Sequence, residues 1–333
     1  MRRAGAILLG ASLVALFVWA VPFHAASSVA RFPTGASTTT TTSETAASLI
    51  RKFASLNQVE KLVAASVKIQ RLNAHTSDEL SRIYWDDVDT VDGIPITCRS
   101  ATRGCVFGDA GSDVAVVLFG DSHARMWLPA IAPVATADHL KLVVIGRTGC
   151  SLAIHRISQM FGGCASVIAS DIKVIDAIRP AAIIMSDRTS YTGMTHAQWQ
   201  AGLTETIDGL RPSGAKVAMI GDIQVFDPGM VSDLLECLAV HTTAVQDCAV
   251  SNPNRAAPGQ EQAEERATSL AHDLYINPTP WLCTRQTCSP VIGDNIVYWD
   301  AAHVSVRYAA YLSGVMGSAL SKFLGAAILD KRT

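Results

Sequence analysis

The stretch Val114-Ala-Val-Val-Leu-Phe-Gly-Asp-Ser-His-Ala124 gives the clearest indication of the fold of this 333-residue chain. Its first six residues are all apolar, which predicts a strand buried on both faces of a sheet. Gly120 then permits a tight turn, and the pattern that follows indicates a helix over 123–137. A buried strand that turns sharply into a helix is the first half of a βαβ unit.

Four more strands are predicted downstream, at 140–145, 181–185, 215–220 and 273–276. Helical patterns accompany them at 166–178, 198–210, 260–271 and about 304–323. Strands that alternate with helices at this spacing predict a parallel sheet covered on both faces. The expected fold class is therefore α/β, a three-layer sandwich with a central, mainly parallel five-stranded sheet and a helical N-terminal lead-in.

The ends of these strands indicate where a ligand would bind. In an open parallel sheet the ligand lies beyond the carboxyl ends of the strands. The loops at those ends begin near Gly120, Gly146, Ser186, Gly221 and Asn277. Ser122 stands in the first of them.

An apolar segment near the N-terminus predicts export. Arg2 and Arg3 precede an uncharged run of 18 residues, 4–21, which as a helix would be about 27 Å long and nearly span a bilayer core. Positive charge before this run places the N-terminus inside and the rest of the chain outside. A cleaved signal peptide is the alternative.

The chain therefore divides into four expected segments. They are a signal-anchor or signal peptide (1–26), a Thr/Ser-rich linker (27–48), a helical and disulfide-loop lead-in (49–110) and the α/β domain (111–326). The expected location is extracytoplasmic, with one N-terminal helix anchoring the chain to the cytoplasmic membrane. If that helix is cleaved, the protein is secreted.

Eight cysteines favour the same compartment, because disulfides persist in oxidising environments. Eight cysteines allow 105 pairings, so the spacing alone does not fix the connectivity. Sequential local pairing is the simplest expectation, and buried free thiols are the alternative. The expected pairs are Cys98/Cys105, Cys150/Cys164, Cys237/Cys248 and Cys283/Cys288.

Charge and spacing argue against other classes of function. The net charge is −2 and only 17% of residues are charged, so the chain lacks the basic footprint of a nucleic-acid-binding protein. No Cys-x-x-Cys or His-x-x-His spacing occurs in the sequence, so we expect no metal site. No cofactor is expected.

Ser122 is the candidate nucleophile. On a sharp strand-to-helix turn its hydroxyl would be exposed, and its backbone N–H would lie among unpaired donors that suit an oxyanion. The alternative is that Ser122 only caps the helix, with Asp121 as another candidate cap. His123 is less suited to act as the base, because adjacent residues on a helix point away from each other. We assign it to packing or substrate contact.

A second candidate pair stands before the last helix, in Tyr298-Trp-Asp-Ala-Ala-His-Val-Ser305. Asp300 and His303 are three residues apart, so their side chains can meet within one turn. The carboxylate can then hold Nδ1–H and leave Nε2 to accept the serine proton. The alternatives are a helix-terminal charge for Asp300 and an ordinary surface histidine for His303.

A serine after the first strand and Asp-x-x-His before the last helix together resemble the SGNH hydrolase superfamily. More narrowly, the chain resembles the extracytoplasmic C-terminal SGNH domain of acyltransferase-3 type O-acyltransferases, which acylate cell-envelope glycans. The resemblance covers roughly 56–325. Its motifs are Leu118-Phe-Gly-Asp-Ser-His-Ala124, Trp127-Leu-Pro-Ala130, Gly149-Cys150, Pro228 with Cys237-Leu-Ala239, Cys283 to Cys288, and Tyr298 to Ser305.

The resemblance implies an SGNH or flavodoxin-like sheet and a role for each site residue. Ser122 is implied as nucleophile, His303 as base and Asp300 as its orienting partner. The oxyanion donors would be Ser122 N–H and a group after the second strand, for which we choose Gly149. The superfamily usually adds an Asn after the third strand.

This chain departs from that pattern, because it reads Ser186-Asp-Arg-Thr189 where the Asn is expected. Arg188 is the candidate for the third oxyanion donor. Asp187 is a candidate for substrate contact, and a purely structural role is an equally good interpretation. For Trp127 we expect core packing rather than substrate stacking.

The expected function is serine-dependent transfer of an acyl group, in particular acetyl, to or from hydroxyls of an envelope polysaccharide or glycolipid. Esterase and transferase differ only in the final acceptor. The alternative is a non-catalytic glycan-binding module that retains the fold. The expected partners are the glycan or glycolipid acceptor and, as acyl donor, a separate membrane acyltransferase.

Overall fold

The computed structural model describes residues 54–83, 90–91, 94–95, 105–153, 163–189, 194–223, 234–251, 259–270 and 273–332. All of them lie in one compact unit, Glu44–Thr333. The expected anchor or signal peptide (1–26), the linker (27–48) and Cys98 lie outside the described residues. Within the described ranges, no helix is both long and apolar enough to cross a membrane.

The strands are short and begin in the lead-in. They are β1 Thr90–Val91, β2 Ile94–Pro95, β3 Cys105–Gly108, β4 Ala115–Gly120, β5 Lys141–Ile145, β6 Ala182–Ser186, β7 Lys216–Ile220, β8 Val250–Ser251, β9 Leu274–Ile276, β10 Thr287–Cys288, β11 Val291–Ile292 and β12 Asn295–Ile296. The α-helices are α1 Leu56–Ser66, α2 Ala74–Arg82, α3 Ser122–Arg125, α4 Leu128–Ala137, α5 Cys164–Ile178, α6 His196–Leu210, α7 Leu234–Val240, α8 Gln260–Leu270, α9 Val306–Tyr311 and α10 Ser313–Arg332.

The main sheet has six strands in the order β3-β5-β4-β6-β7-β9. The five predicted strands are all present, and their pairings with one another are parallel. The additional strand, β3, pairs antiparallel with β5 at the edge of the sheet. The prediction of a mainly parallel α/β sheet is therefore confirmed, with one more strand than expected.

The strand order creates a switch point at β4. The chain leaves β4 to form its neighbour β5 on one side, and then returns to form β6 on the other side. Ligands of open α/β sheets bind at such a switch point, outside the carboxyl ends of the strands. The carboxyl end of β4 is Gly120, so this rule points to the turn that carries Ser122.

Alternate residues of the parallel strands face two separate hydrophobic cores. Val116 and Leu118 belong to the core formed with α4, α9 and α10. Val117 and Phe119 belong to the core formed with α5, α6 and α8. Because both faces are covered, the strands are apolar except at some of their end residues, such as Lys141 and Lys216, and this pattern identified them in the sequence.

The lead-in packs against the downstream half of the chain. The side chain of Gln246 donates from Nε2 to the carbonyl oxygens of Ser66 and Ile69, at 2.9 Å each. Farther along, Glu79 Oε2 accepts the backbone N–H of Ile296 at 3.1 Å. The expected helical lead-in is therefore part of the same compact unit as the sheet.

Disulfides close loops in the places where the close pairs were expected. The structure joins Cys150 to Cys164, Cys237 to Cys248 and Cys283 to Cys288. Cys105 is also disulfide-bonded. Each of the three described bonds closes a loop of 5 to 14 residues.

Two glycines allow the ends of three strands to pack closely. A Cβ atom at Gly120 would lie 1.9 Å from the carbonyl oxygen of Ser186, at the end of β6. A Cβ atom at Gly146 would lie 1.9 Å from the carbonyl oxygen of Gly120. Both glycines also have positive φ, 153° for Gly120 and 128° for Gly146. No L-residue fits at either position without moving backbone.

We expect Gly120→Ala to lower the free energy of unfolding by about 1–3 kcal/mol, since the added methyl overpacks the strand ends. Gly325→Ala is the matched control, because Gly325 lies in α10 with nothing within 4 Å of its added Cβ. That control should raise stability by up to about 1 kcal/mol. Urea denaturation of both variants measures the difference, and equal midpoints would contradict the packing argument.

Candidate active site

Ser122 lies at the turn between β4 and α3. Asp121, not Ser122, caps the helix, since Asp121 Oδ1 accepts the backbone N–H of His123 at 2.8 Å. The other carboxylate oxygen accepts the backbone N–H of Arg188 at 3.3 Å. The capping role that competed with catalysis for Ser122 thus belongs to its neighbour, and Ser122 remains partly exposed at the switch point.

Asp300 and His303 lie on a tight turn closed by a backbone bridge between Tyr298 and Val304. Asp300 Oδ1 accepts the backbone N–H of Ala302 at 2.7 Å and that of His303 at 2.8 Å. Asp300 Oδ2 lies 2.8 Å from His303 Nδ1. The predicted side-chain contact is present, in the turn that precedes α9 rather than in a helix.

The Asp300 carboxyl is held in its ionised form. Burial by itself raises its pKa, but the hydrogen bond and charge of His303, together with the backbone N–H donors, lower the pKa by more. The net result is a pKa below the usual value for Asp. The side chains of Asp300 and His303 are 37% and 16% exposed, so the pair is partly open to solvent.

The turn that carries Asp300 and His303 lies against the turn that follows β4. The imidazole rings of His303 and His123 have centroids 4.8 Å apart, and His123 follows Ser122 directly in the chain. His303 Nε2 is buried and has no hydrogen-bond partner in the described part of the chain, so it is not bonded to Ser122. Nucleophile–base hydrogen bonds often tighten only when substrate is bound. The turn that carries Asp300 and His303 therefore lies beside the turn that carries Ser122.

A second His–Asp pair lies beneath this region, and the sequence patterns did not predict it. His123 Nδ1 is 2.5 Å from Asp222 Oδ1, and both side chains are almost completely buried. The other Asp222 oxygen accepts the backbone N–H and the hydroxyl of Thr189, at 2.7 Å each. The sequence position of Asp222 could have indicated it as a site residue, because Asp222 follows Gly221 at the end of a predicted strand.

The two members of the buried pair stabilise each other's charge. Burial by itself lowers the pKa of His123, but the charge and hydrogen bond of Asp222 raise the pKa by more. Burial likewise raises the pKa of Asp222, while the charge and hydrogen bond of His123 and the donors of Thr189 lower it by more. Both shifts therefore favour the imidazolium–carboxylate form of the pair.

Comparison with known proteins identifies the family to which the chain belongs. The model of the family described as "SGNH domain (fused to AT3 domains)" matches residues 91–317, more than half of the chain. The chain belongs to this SGNH family. No protein with curated annotation matches it.

Two solved structures are similar to the chain at low sequence identity. The periplasmic domain of a lipopolysaccharide acetyltransferase from Salmonella ser. Paratyphi A has a TM-score of 0.52 at 13% identity, covering 64% of this chain and 85% of that one. A peptidoglycan O-acetylesterase has a TM-score of 0.38 at 14% identity, covering 56% of this chain and 48% of that one. At such identities the first likeness shows a shared fold only, and the second is too distant to support an argument.

The two expected oxyanion donors other than Ser122, Gly149 and Arg188, lie on different loops of this SGNH domain. Gly149 has a φ of 75° on the turn after β5, where Cys150 N–H donates to the carbonyl oxygen of Arg147 at 3.0 Å. Arg188 is tied to Asp121 by its backbone, and its positive charge is close enough to oppose protonation of His123. Arg188 therefore lies at the rim of the site, while its role and that of Gly149 remain predictions.

Asp187 stands where the SGNH superfamily usually has its Asn, and in this chain it holds a loop. It is fully buried, and its Oδ2 accepts the hydroxyl of Ser151 at 2.7 Å and the backbone N–H of Leu152 at 2.8 Å. Burial and the neighbouring charge of Asp121 raise its pKa well above the usual value. Asp187 was considered for substrate contact and for a structural role. Its buried hydrogen bonds show the structural role.

Trp127, which begins the Trp127–Ala130 motif, is fully buried. Its ring meets that of Trp281 edge-on, with centroids 6.2 Å apart and an interplanar angle of 89°. This arrangement is a favourable packing geometry for two aromatic rings. Trp127 therefore packs in the core, as expected, and does not present a face to substrate.

We expect Asp222→Ala to lower the free energy of unfolding by about 3–5 kcal/mol, because it leaves a buried imidazole without its partner. The matched control is Asp247→Ala, which removes the partner of exposed His241 at 3.2 Å. Loss of that surface pair should cost less than about 1 kcal/mol.

The free energy of unfolding that is lost in Asp222→Ala should depend on pH in a definite direction. The raised pKa of His123 contributes stability in full below the unfolded value of about 6.5, and the contribution fades as pH rises through the folded value. The lowered pKa of Asp222 contributes in full above about 3.9, and the contribution fades as pH falls. Urea denaturation should therefore show the largest difference from wild type between about pH 4 and 6.5. A difference that does not vary with pH would contradict the assignment of charges.

Proposed function

We propose that this chain is a serine acyl-transfer enzyme in which Ser122 is the nucleophile, His303 the general base and Asp300 its orienting partner. One observation carries the proposal. Asp300 holds Nδ1 of His303 at 2.8 Å, while Nε2 has no partner in the described residues and the ring lies beside the turn that carries Ser122. An imidazole that is fixed at one nitrogen and has no hydrogen-bond partner at the other is suited to general-base catalysis.

The first half-reaction forms an acyl-enzyme. Ser122 Oγ attacks the carbonyl carbon of the donor ester, and its proton passes to His303 Nε2. The tetrahedral intermediate then collapses, the bond between the carbonyl carbon and the leaving oxygen breaks, and His303 returns the proton to that oxygen. The acyl group is left on Ser122 as an ester.

The second half-reaction runs the same steps with a new nucleophile. A sugar hydroxyl or a water gives its proton to His303 Nε2 and attacks the acyl carbon, after which Ser122 Oγ leaves and recovers the proton. Asp300 stays ionised throughout and stabilises the imidazolium that forms twice. The backbone N–H of Ser122 and a donor on the loop of Gly149, with Arg188 as the third candidate, would stabilise the oxyanion.

The proposed substrates are acyl esters and hydroxyls of cell-envelope polysaccharide or glycolipid, and the proposed acyl group is acetyl. A separate membrane acyltransferase is the proposed donor, in line with the family's fusion to AT3 domains. The described disulfides are typical of an oxidising compartment, which supports an extracytoplasmic location. We retain 4–21 as the proposed anchor to the cytoplasmic membrane.

A fluorophosphonate probe separates this proposal from a non-catalytic glycan-binding module. We expect covalent labelling of the wild-type chain and loss of labelling in Ser122→Ala. Ser186→Ala is the matched control, because Ser186 ends the neighbouring strand but is fully buried, and it should label like wild type. Equal labelling of the wild type and Ser122→Ala, or labelling of neither, would refute the serine mechanism.

Replacing the orienting carboxylate tests the second part of the triad. We expect Asp300→Asn to lower kcat for aryl acetate hydrolysis by about 10³–10⁴-fold, because an amide favours the wrong imidazole tautomer and does not stabilise the imidazolium. Asp294→Asn, on the turn between β11 and β12, is the control and should stay within about twofold of wild type. A loss of less than tenfold in Asp300→Asn would show that this carboxylate does not orient the base.

A further inference from the structure

Trp299 differs from the other described tryptophans in its exposure. Its relative exposure is 44%, whereas Trp127, Trp199 and Trp281 are at most 5% exposed. Among the exposed large hydrophobic side chains of the described ranges, it is the aromatic one. The serine mechanism described above assigns no task to this indole.

The position of Trp299 is set by the same turn that positions the base. Its backbone N–H donates to the carbonyl oxygen of His303 at 3.2 Å. Tyr298, immediately before it, is fully buried, and Asp300, immediately after it, holds the His303 imidazole. The backbone at Trp299 is therefore fixed on both sides, and an indole on a fixed backbone loses little conformational entropy when it binds a ligand.

The indole lies beside the imidazole that must receive the acceptor's proton. The ring centroids of Trp299 and His303 are 5.6 Å apart, and the ring planes are tilted by 38°. A hydroxyl that gives its proton to His303 Nε2 must approach within about 2.6–3.2 Å of that nitrogen. The ring that carries this hydroxyl must then lie next to the imidazole, within reach of the indole.

The chemistry of an indole selects among acceptors of this kind. Its face is apolar and carries a negative quadrupole, which attracts weakly positive C–H groups. A pyranose ring presents such C–H groups on one face and directs its hydroxyls outward from its edge. Water, glycerol and other small acyclic alcohols present no comparable face.

We propose that Trp299 is the platform on which a pyranose ring of the acyl acceptor stacks, with one edge hydroxyl directed at His303. This inference rests on the proposed function and specifies its acceptor as a six-membered sugar ring bound through an apolar face. Trp299 is a binding residue in this proposal. Its removal weakens the hold on the sugar, while the chemistry on a small ester that does not use the platform continues.

The test measures binding and chemistry separately on the full-length chain. Binding of glucose, mannose, galactose and N-acetylglucosamine oligosaccharides is measured by titration calorimetry, and esterase activity with p-nitrophenyl acetate. We expect Trp299→Ala to weaken binding of the best oligosaccharide at least tenfold, which corresponds to about 1.4 kcal/mol, and to lower aryl acetate hydrolysis by a clearly smaller factor. Trp299→Phe should retain most of the binding.

Two further variants keep the test decisive. Trp299→Leu retains an apolar side chain without a ring and should bind as weakly as Trp299→Ala. Val240→Ala, at a side chain that is 74% exposed on α7, is the control for loss of exposed apolar surface and should bind like wild type.

Each remaining outcome has a distinct meaning. The platform is refuted if no oligosaccharide binds the wild type, if Trp299→Ala binds as well as wild type, or if Trp299→Leu binds as well as Trp299→Phe. Equal loss of hydrolysis and sugar binding in both Trp299→Ala and Trp299→Phe would assign Trp299 a structural role instead. If the wild type hydrolyses no ester but binds sugar through Trp299, the proposed acyl transfer fails and the platform stands.

Discussion

The close approach of three parallel strands at Gly120 is the constraint on which the site depends. The end of β4 is enclosed by the carbonyl of Ser186 on one side and by Gly146 on the other, with no room for a side chain. The chain must therefore turn out of the sheet at once. That turn leaves Ser122 partly exposed at the rim and places His123 in the interior. A site built on strand ends in this way is held by the sheet itself.

The two His–Asp pairs have similar geometry but different surroundings. The pair of His123 and Asp222 is withdrawn from water, where separating the charges would be costly, so it acts as a rigid support. The pair of Asp300 and His303 is partly exposed and keeps one imidazole nitrogen without a partner in the described structure. Because the two imidazoles lie against each other, the buried pair fixes the surface on which the exposed pair rests.

Local sequence patterns predicted most strands of the main sheet and one of the two His–Asp contacts. The five parallel strands were predicted because burial on both faces leaves continuous apolar runs. The contact between Asp300 and His303 was predicted because three residues separate them. Strand β3 was missed because it has four residues, exposed on one side and beginning at Cys105, which was assigned to a disulfide loop.

Contacts that depend on strand order were not predictable. His123 and Asp222 are 99 residues apart, and they meet only because β4 and β7 lie on either side of β6. The same holds for Asp187, whose partners Ser151 and Leu152 follow a different strand. Sequence patterns place such residues at the ends of strands, but they do not indicate which strand ends are neighbours in the sheet.

In the proposed mechanism Ser122 transfers its proton to His303. A crystal structure of the chain after reaction with a sulfonyl fluoride would show whether these two groups meet. We expect a sulfonyl group on Ser122 Oγ, with His303 Nε2 within about 3.2 Å of that oxygen and Asp300 still bonded to Nδ1. A sulfonyl group on another residue, or a His303 ring directed away from Ser122 Oγ, would contradict it.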